Sequence, residues 1–249
     1  MSQPKAKMNR LERKVLEQVS SMPRGTQVLE LAPGRGALAS GLAARGFSVR
    51  ALDIHPELFM EAEGVSCTRG NLDEPLPFED EAFDLVVCCE GIEHLEFQYG
   101  FARELARVLK TGGTLVLTTP NIANIASRLR FLLTGFYSLA ERPSSEFKRD
   151  RTIEHIYPLT FWQLRHILHT SGLLIERLAT DHIRRSSLLL GGLYPLSYLF
   201  TRAALASEGQ QRQREANLEI LRQLHSAPLF FGRTQIIIAR KGRSTYENG

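Results

Sequence analysis

The stretch Val28-Leu29-Glu30-Leu31-Ala32-Pro33-Gly34-Arg35-Gly36 decides the fold. An apolar run carries a carboxylate near its end and turns through two glycines into the helical pattern Ala37–Arg45. Glycine lets backbone approach a ligand, because no Cβ intrudes and positive φ is open to it. Two glycines alone are a weak signal. It strengthens because a second apolar run, Ser48–Asp53, closes about twenty residues later on a carboxylate able to take both hydroxyls of a ribose.

Outward from this loop the same rhythm repeats. Apolar runs at Val65–Arg69, Phe83–Cys89 and Thr114–Thr119 alternate with helix-like stretches at Pro56–Glu63, Gln98–Leu109 and Ile122–Leu133. Thr160–Thr170 reads as a further helix, and Leu173–Ala179 and Arg233–Lys241 as the last strands. Strands alternating with helices build βαβ units. The expected fold is therefore α/β: a doubly wound, mostly parallel, seven-stranded Rossmann-like sheet with helices on both faces and an insertion before the last strand. Residues 1–25 form an N-terminal helical segment, 26–181 and 230–241 the main domain, 182–229 an apolar and helical insertion, and 242–249 a flexible tail.

Composition narrows the class. With 249 residues, 43% apolar and 23% charged, the chain excludes disordered, collagenous and disulfide-scaffold proteins. Residues 1–120 carry 13 Lys/Arg against 17 Asp/Glu, whereas residues 121–249 carry 18 against 10, mostly arginine. An acidic half joined to a basic one points to an anionic partner or surface. Cys67, Cys88 and Cys89 are odd in number and lack metal-ligand spacing, so neither a disulfide framework nor a metal site is expected. A cytoplasmic location is expected, since residues 1–14 develop no apolar signal-peptide core.

Five motifs in order then resemble the class I methyltransferases dependent on S-adenosylmethionine. They are the loop around Glu30, Ala32, Gly34 and Gly36; Val49–Pro56 around Asp53; Gly70-Asn71-Leu72 running into Pro75-Leu76-Pro77-Phe78; Phe83–Val87 leading to Glu93-His94-Leu95; and Arg107–Gly113. They cover residues 26–120, the cofactor half. Ala32 stands where the family more often has Gly, and Asn71 where Asp is commoner. The resemblance implies that Gly34 and Gly36 approach the methionine part of S-adenosylmethionine, with Glu30 near its amino group. Asp53 would bind the ribose, Ile54 pack on the adenine, Asn71 and Leu72 read the adenine edge, and Glu90 close the pocket.

Methyl transfer to a hydroxyl also needs a base. His94, beside Glu93 at the carboxyl edge of the fourth strand, is one candidate; in ubiquinone-type and related small-molecule members such a pair lies by the acceptor. The other is His155, in the cluster Glu154–Thr160, where Thr160 is a plausible helix cap and Tyr157 shares the loop. The segment from Thr118-Thr119-Pro120-Asn121 through Arg128 and Arg130 to this cluster is similar to methyltransferases associated with envelope polysaccharides. There the loop, here 134–158, covers the acceptor. Helix-surface charge is the competing role for Arg128.

Arg184 and Arg185 precede an apolar run, Ser187–Phe200, broken by Gly191-Gly192 and Pro195 and too short to span a bilayer. It is expected as a lid or homodimer contact, or as peripheral membrane contact with the arginines on the acceptor side. The leading expectation is methyl transfer to an oxygen of a glycan or lipid-linked, lipopolysaccharide-type envelope intermediate. The alternatives are O-methylation of a polyprenylated quinone or small aromatic, and a cofactor-binding regulatory module without turnover. No nucleic-acid partner is expected.

Overall fold

The computed structural model describes residues 7–60, 64–138, 157–206 and 211–242, the side chain of Arg212 excepted. Seven strands form one sheet: β1 (Gln27–Leu31), β2 (Ser48–Asp53), β3 (Ser66–Arg69), β4 (Phe83–Cys89), β5 (Leu109–Pro120), β6 (Leu173–Ala179) and β7 (Thr234–Lys241). Their order is β3-β2-β1-β4-β5-β7-β6. The first five strands pair in parallel, and β7 lies antiparallel between β5 and β6.

The core explains why the central strands read as continuous apolar runs. Successive side chains point to opposite faces. Leu29 and Leu31 join Phe83, Val86 and Cys88 in one cluster with Phe101 and Leu105 of α3 (Gln98–Val108) and Leu164 and Leu168 of α5 (Phe161–Thr170). Val28, Val49, Leu85, Val87 and Val116 join the other, covered by Leu11 and Val15 of α1 (Arg10–Gln18) and Leu38 and Leu42 of α2 (Ala37–Ala44). Glu30 shares the face of Val28, and so is trapped under α1.

Two local expectations differ. The helix expected over Pro56–Glu63 is a single 3-10 turn, Pro56–Leu58, with residues 61–63 outside the described residues; the chain leaves the turn extended at Phe59. Lys110–Gly113 forms the expected turn, but as an outward bulge of β5: Leu109 pairs with Phe83 and Thr114 with Leu85. The expected cap at Thr160 is present, with Gln163 completing a reciprocal capping box.

The chain builds outward from β1 to β3, then returns to lay β4 on β1's other side. In such sheets ligands bind beyond the strands' carboxyl ends at this switch point. The carboxyl end of β5 leads into α4 (Ile125–Thr134). Between β6 and β7 the insertion folds as α6 (Arg185–Leu189), α7 (Tyr194–Leu205), α8 (Gln211–Leu224) and α9 (Ala227–Phe231). Because β7 runs antiparallel, α4 and the insertion both spring from this ligand edge. Buried Asn121 ties them together, its amide donating to the carbonyls of Leu229 and Gly232 at 2.8 and 3.0 Å.

Candidate active site

A cavity of about 710 Å³ opens at the switch point, lined by Ala32, Gly34, Asp53, Ile54, Asn71, Leu72, Glu90 and His94 together with Leu58, Asp73 and Leu95. A second, of about 590 Å³, holds Glu30, Lys7, Glu12, Arg35 and Cys89 and shares Ala32, Gly34 and Glu90 with the first. The glycine loop and the turn after β4 are thus the common wall of both. Residues drawn from four separate motifs meet around one space.

The loop's geometry is costly and specific. Ala32, Gly34 and Gly36 have φ of 54°, 53° and 79°, and Glu90 has 49°. Left-handed backbone at the non-glycines Ala32 and Glu90 is strain, and both stand at strand tips facing the cavity, where such strain gathers in functional sites. Gly36 cannot be larger without rearrangement, because a Cβ there would lie 2.5 Å from the Phe59 ring. Asp53 is oriented by two backbone donors: Gly34 N–H at 3.2 Å to Oδ2 and His55 N–H at 2.8 Å to Oδ1. Each oxygen keeps acceptor capacity for a ligand hydroxyl. Asn71 is committed locally, its Oδ1 accepting from Asp73 N–H at 3.1 Å and its amide donating to Glu74 at 3.3 Å.

Glu30 is 3% exposed, and its Oε2 has no hydrogen-bond partner among the described residues. Burial, then the negative charges of Glu12 and Asp53, push its carboxyl up to about 8. A buried, unpartnered carboxyl on the wall of a cavity fits a cationic ligand group.

His94 lies in the 3-10 turn Ile92–His94 and lines the first cavity. Glu93 faces inward instead, fully buried, with Oε2 accepting from Thr119 Oγ1 at 3.0 Å; burial pushes its carboxyl up to about 8. Tyr157 docks the loop's end here: its N–H donates to the Glu93 carbonyl at 3.1 Å, and its own carbonyl accepts from Gln98 Nε2 at 3.0 Å. His155 lies outside the described residues. Arg128 is drawn into the fold, donating to the Ala123 carbonyl at 2.6 Å and Ser197 Oγ at 3.2 Å with its guanidinium over the Phe230 ring, so it clamps α4 to α7 away from the cavity. Arg184 and Arg185 line a separate cavity of about 490 Å³ with Arg10 and His182.

Sequence reasoning missed Phe59 and the wall formed by Leu58 and Asp73, and it quoted Leu95 in the fourth motif without giving it a place in the site. Phe59 sits within Pro56–Glu63, a stretch whose helical pattern masked a single turn. It also missed Asp181, buried and accepting from His182 Nδ1 at 2.7 Å, for which the adjacent Asp-His pair was the signal.

The fold is that of the class I S-adenosylmethionine-dependent methyltransferases, and the family model described as "Methyltransferase domain" matches residues 29–117. Among curated proteins, the ubiquinone biosynthesis O-methyltransferase of Xanthomonas axonopodis pv. citri is 34% identical over 116 residues, 43% of this chain and 48% of that protein. The chain thus spans about half the length of the curated relatives it matches. A Bacillus halodurans structure described as a "putative methyltransferase" superposes with a TM-score of 0.57 at 21% identity, covering 92% of this chain and 98% of the other. The S-adenosylmethionine-dependent methyltransferase of Mesorhizobium loti gives 0.55 at 15%, covering 92% and 97%. At these identities the structures establish the fold.

Proposed function

We propose that the protein transfers a methyl group from S-adenosylmethionine to a hydroxyl of a small, partly lipidic acceptor. The observation that carries this is the placing of Glu30, the strained glycine loop and Asp53 around two adjoining cavities at the switch point. Glu30 would hold the cofactor's ammonium group and Asp53 its ribose hydroxyls, while Ile54 and Leu72 cover the adenine. The cofactor supplies an electrophilic methyl on a sulfonium. The chain's own work is to hold the acceptor oxygen in line with that methyl and to remove its proton.

His94 is the base this reading favours, because it lines the cavity while Glu93 beside it is buried. His155 stays a candidate from sequence alone. The names of the relatives favour a polyprenylated aromatic hydroxyl over the envelope glycan expected from the loop's resemblance. The basic cavity of Arg10, His182, Arg184 and Arg185 supports the second reading, a lipid-linked glycan whose phosphates it would hold. The protein would then work at the inner face of the cytoplasmic membrane.

Calorimetric titration with S-adenosylmethionine, followed by turnover on a hydroxyaromatic and on a prenyl-diphosphate sugar, tests this. Asp53→Ala should weaken cofactor binding by about 10- to 100-fold, the scale of charge-assisted hydrogen bonds. His94→Gln should keep that affinity and lose about 100-fold or more in rate. Unchanged affinity in Asp53→Ala refutes the ribose placement, and binding without turnover on either acceptor turns the reading toward a regulatory module.

A further inference from the structure

α7 is built inside out. Its inner side carries Tyr194, Ser197 and Tyr198, which pack on His225 and Phe230; the ring centroids of Tyr194 and Tyr198 lie 5.5 and 5.2 Å from that of His225. Its outer side carries Leu196, Leu199 and Phe200 at helical spacing, 54%, 60% and 69% exposed, and no residue of the helix is buried. Leu188 and Leu189 of the preceding α6 are also exposed, at 54% and 87%. The neighbouring α4, which packs on α6 and is tied to α7 through Arg128, ends in exposed Phe131, Leu132 and Leu133, with exposed Phe136 just beyond its cap. Among the described residues the apolar side of 187–200 faces outward, as either the homodimer contact or the membrane contact expected of it requires.

We propose that this ridge inserts into the interfacial layer of an anionic lipid bilayer, setting the ligand edge of the sheet against the membrane. Three observations select that occupant. Residues 121–138 and 182–206 contain no Asp or Glu but carry Arg128, Arg130, Arg184, Arg185 and Arg202. The basic cavity of Arg10, His182, Arg184 and Arg185 opens at the foot of the ridge, where Arg184 Nη1 is buried without a partner among the described residues, a donor suited to a headgroup phosphate. A second copy on the same face would set these arginines against their own kind. An apolar helix side bordered by arginines suits the boundary between headgroups and acyl chains. No helix among the described residues is long and apolar enough to cross a membrane, so the ridge lies in the interface. This inference stands apart from methyl transfer.

Flotation of the full chain with vesicles of phosphatidylcholine alone and with added phosphatidylglycerol tests it. The protein should float with the anionic vesicles and bind neutral ones about tenfold or more weakly, since each basic residue near an anionic surface contributes about fivefold. Leu189→Gln/Leu199→Gln/Phe200→Gln should lower vesicle affinity on the order of 100-fold while leaving S-adenosylmethionine titration and circular dichroism unchanged. These are exposed positions, so the fold is not at stake. Wild-type protein that does not float, equal binding to both vesicle types, or a triple variant that floats like the wild type overturns the proposal. So does sedimentation showing a stable dimer that the triple variant splits.

Discussion

Replacing Glu93 by Gln should change how the protein's stability depends on pH. The carboxyl is fully buried; one oxygen accepts from Thr119 Oγ1 and Oε1 has no partner among the described residues. Burial raises its pKa from 4.5 to about 8. Between those values the unfolded chain has lost a proton that the folded chain keeps. Stability from this group is therefore fully present below the lower value and is lost as pH rises through the upper one, at about 1.4 kcal/mol per pH unit. From the lower value to pH 7 the accumulated loss is about 3 kcal/mol. Gln is neutral at every pH, and its amide oxygen keeps the Thr119 hydrogen bond. Urea unfolding at pH 5.5, 6.5 and 7.5 should show the variant gaining on the wild type by about 1.4 kcal/mol for each unit. Glu30 titrates alike in both proteins and cancels from the difference. A gap between variant and wild type that stays constant across the three pH values refutes the reasoning.

Glu30 makes a related prediction for binding. With its pKa near 8 it is mostly protonated at pH 7 in the free protein, and an ammonium partner would favour the ionised form. Cofactor binding at pH 7 should therefore release close to one proton, read as a dependence of the calorimetric enthalpy on buffer ionisation; Glu30→Gln should abolish that dependence, and a wild type without it counts against the pairing. Gly36→Ala should destabilise the protein by about 1–2 kcal/mol through left-handed strain alone, with further loss of cofactor affinity as the Phe59 ring is displaced; thermal unfolding and titration check the two parts.

How much of the site was legible depended on what each residue answers to. Gly34, Gly36 and Asp53 answer to local geometry, a turn into a helix and a strand tip, and such constraints leave a trace at fixed spacing. Phe59 could not be read, because its role is to lie on Gly36, and that meeting follows from how the chain leaves the turn after Pro56. Glu93 and His94 are neighbours with opposite fates. The short turn they share sends one carboxyl beneath the sheet's edge to Thr119 and leaves the imidazole on the cavity wall. Arg128 read as one of several arginines until folding placed Ser197 and Phe230 against it.

By itself the sequence determined the alternation of strands and helices, the parallel core and the carboxylates at the tips of β1 and β2, because burial on both faces demands unbroken apolar runs and a ligand loop demands glycine. Only the tertiary structure decided which side of an amphipathic segment faces in. Ser187–Phe200 is apolar enough to be core, yet the space beneath α7 is already filled by His225, Phe230 and the helix's own tyrosines. Its leucines are left outward. The protonation of Glu30 and Glu93 was likewise decided by folding, since a carboxyl's charge depends on the dielectric and the partners around it, and these exist only once distant parts of the chain have closed over them.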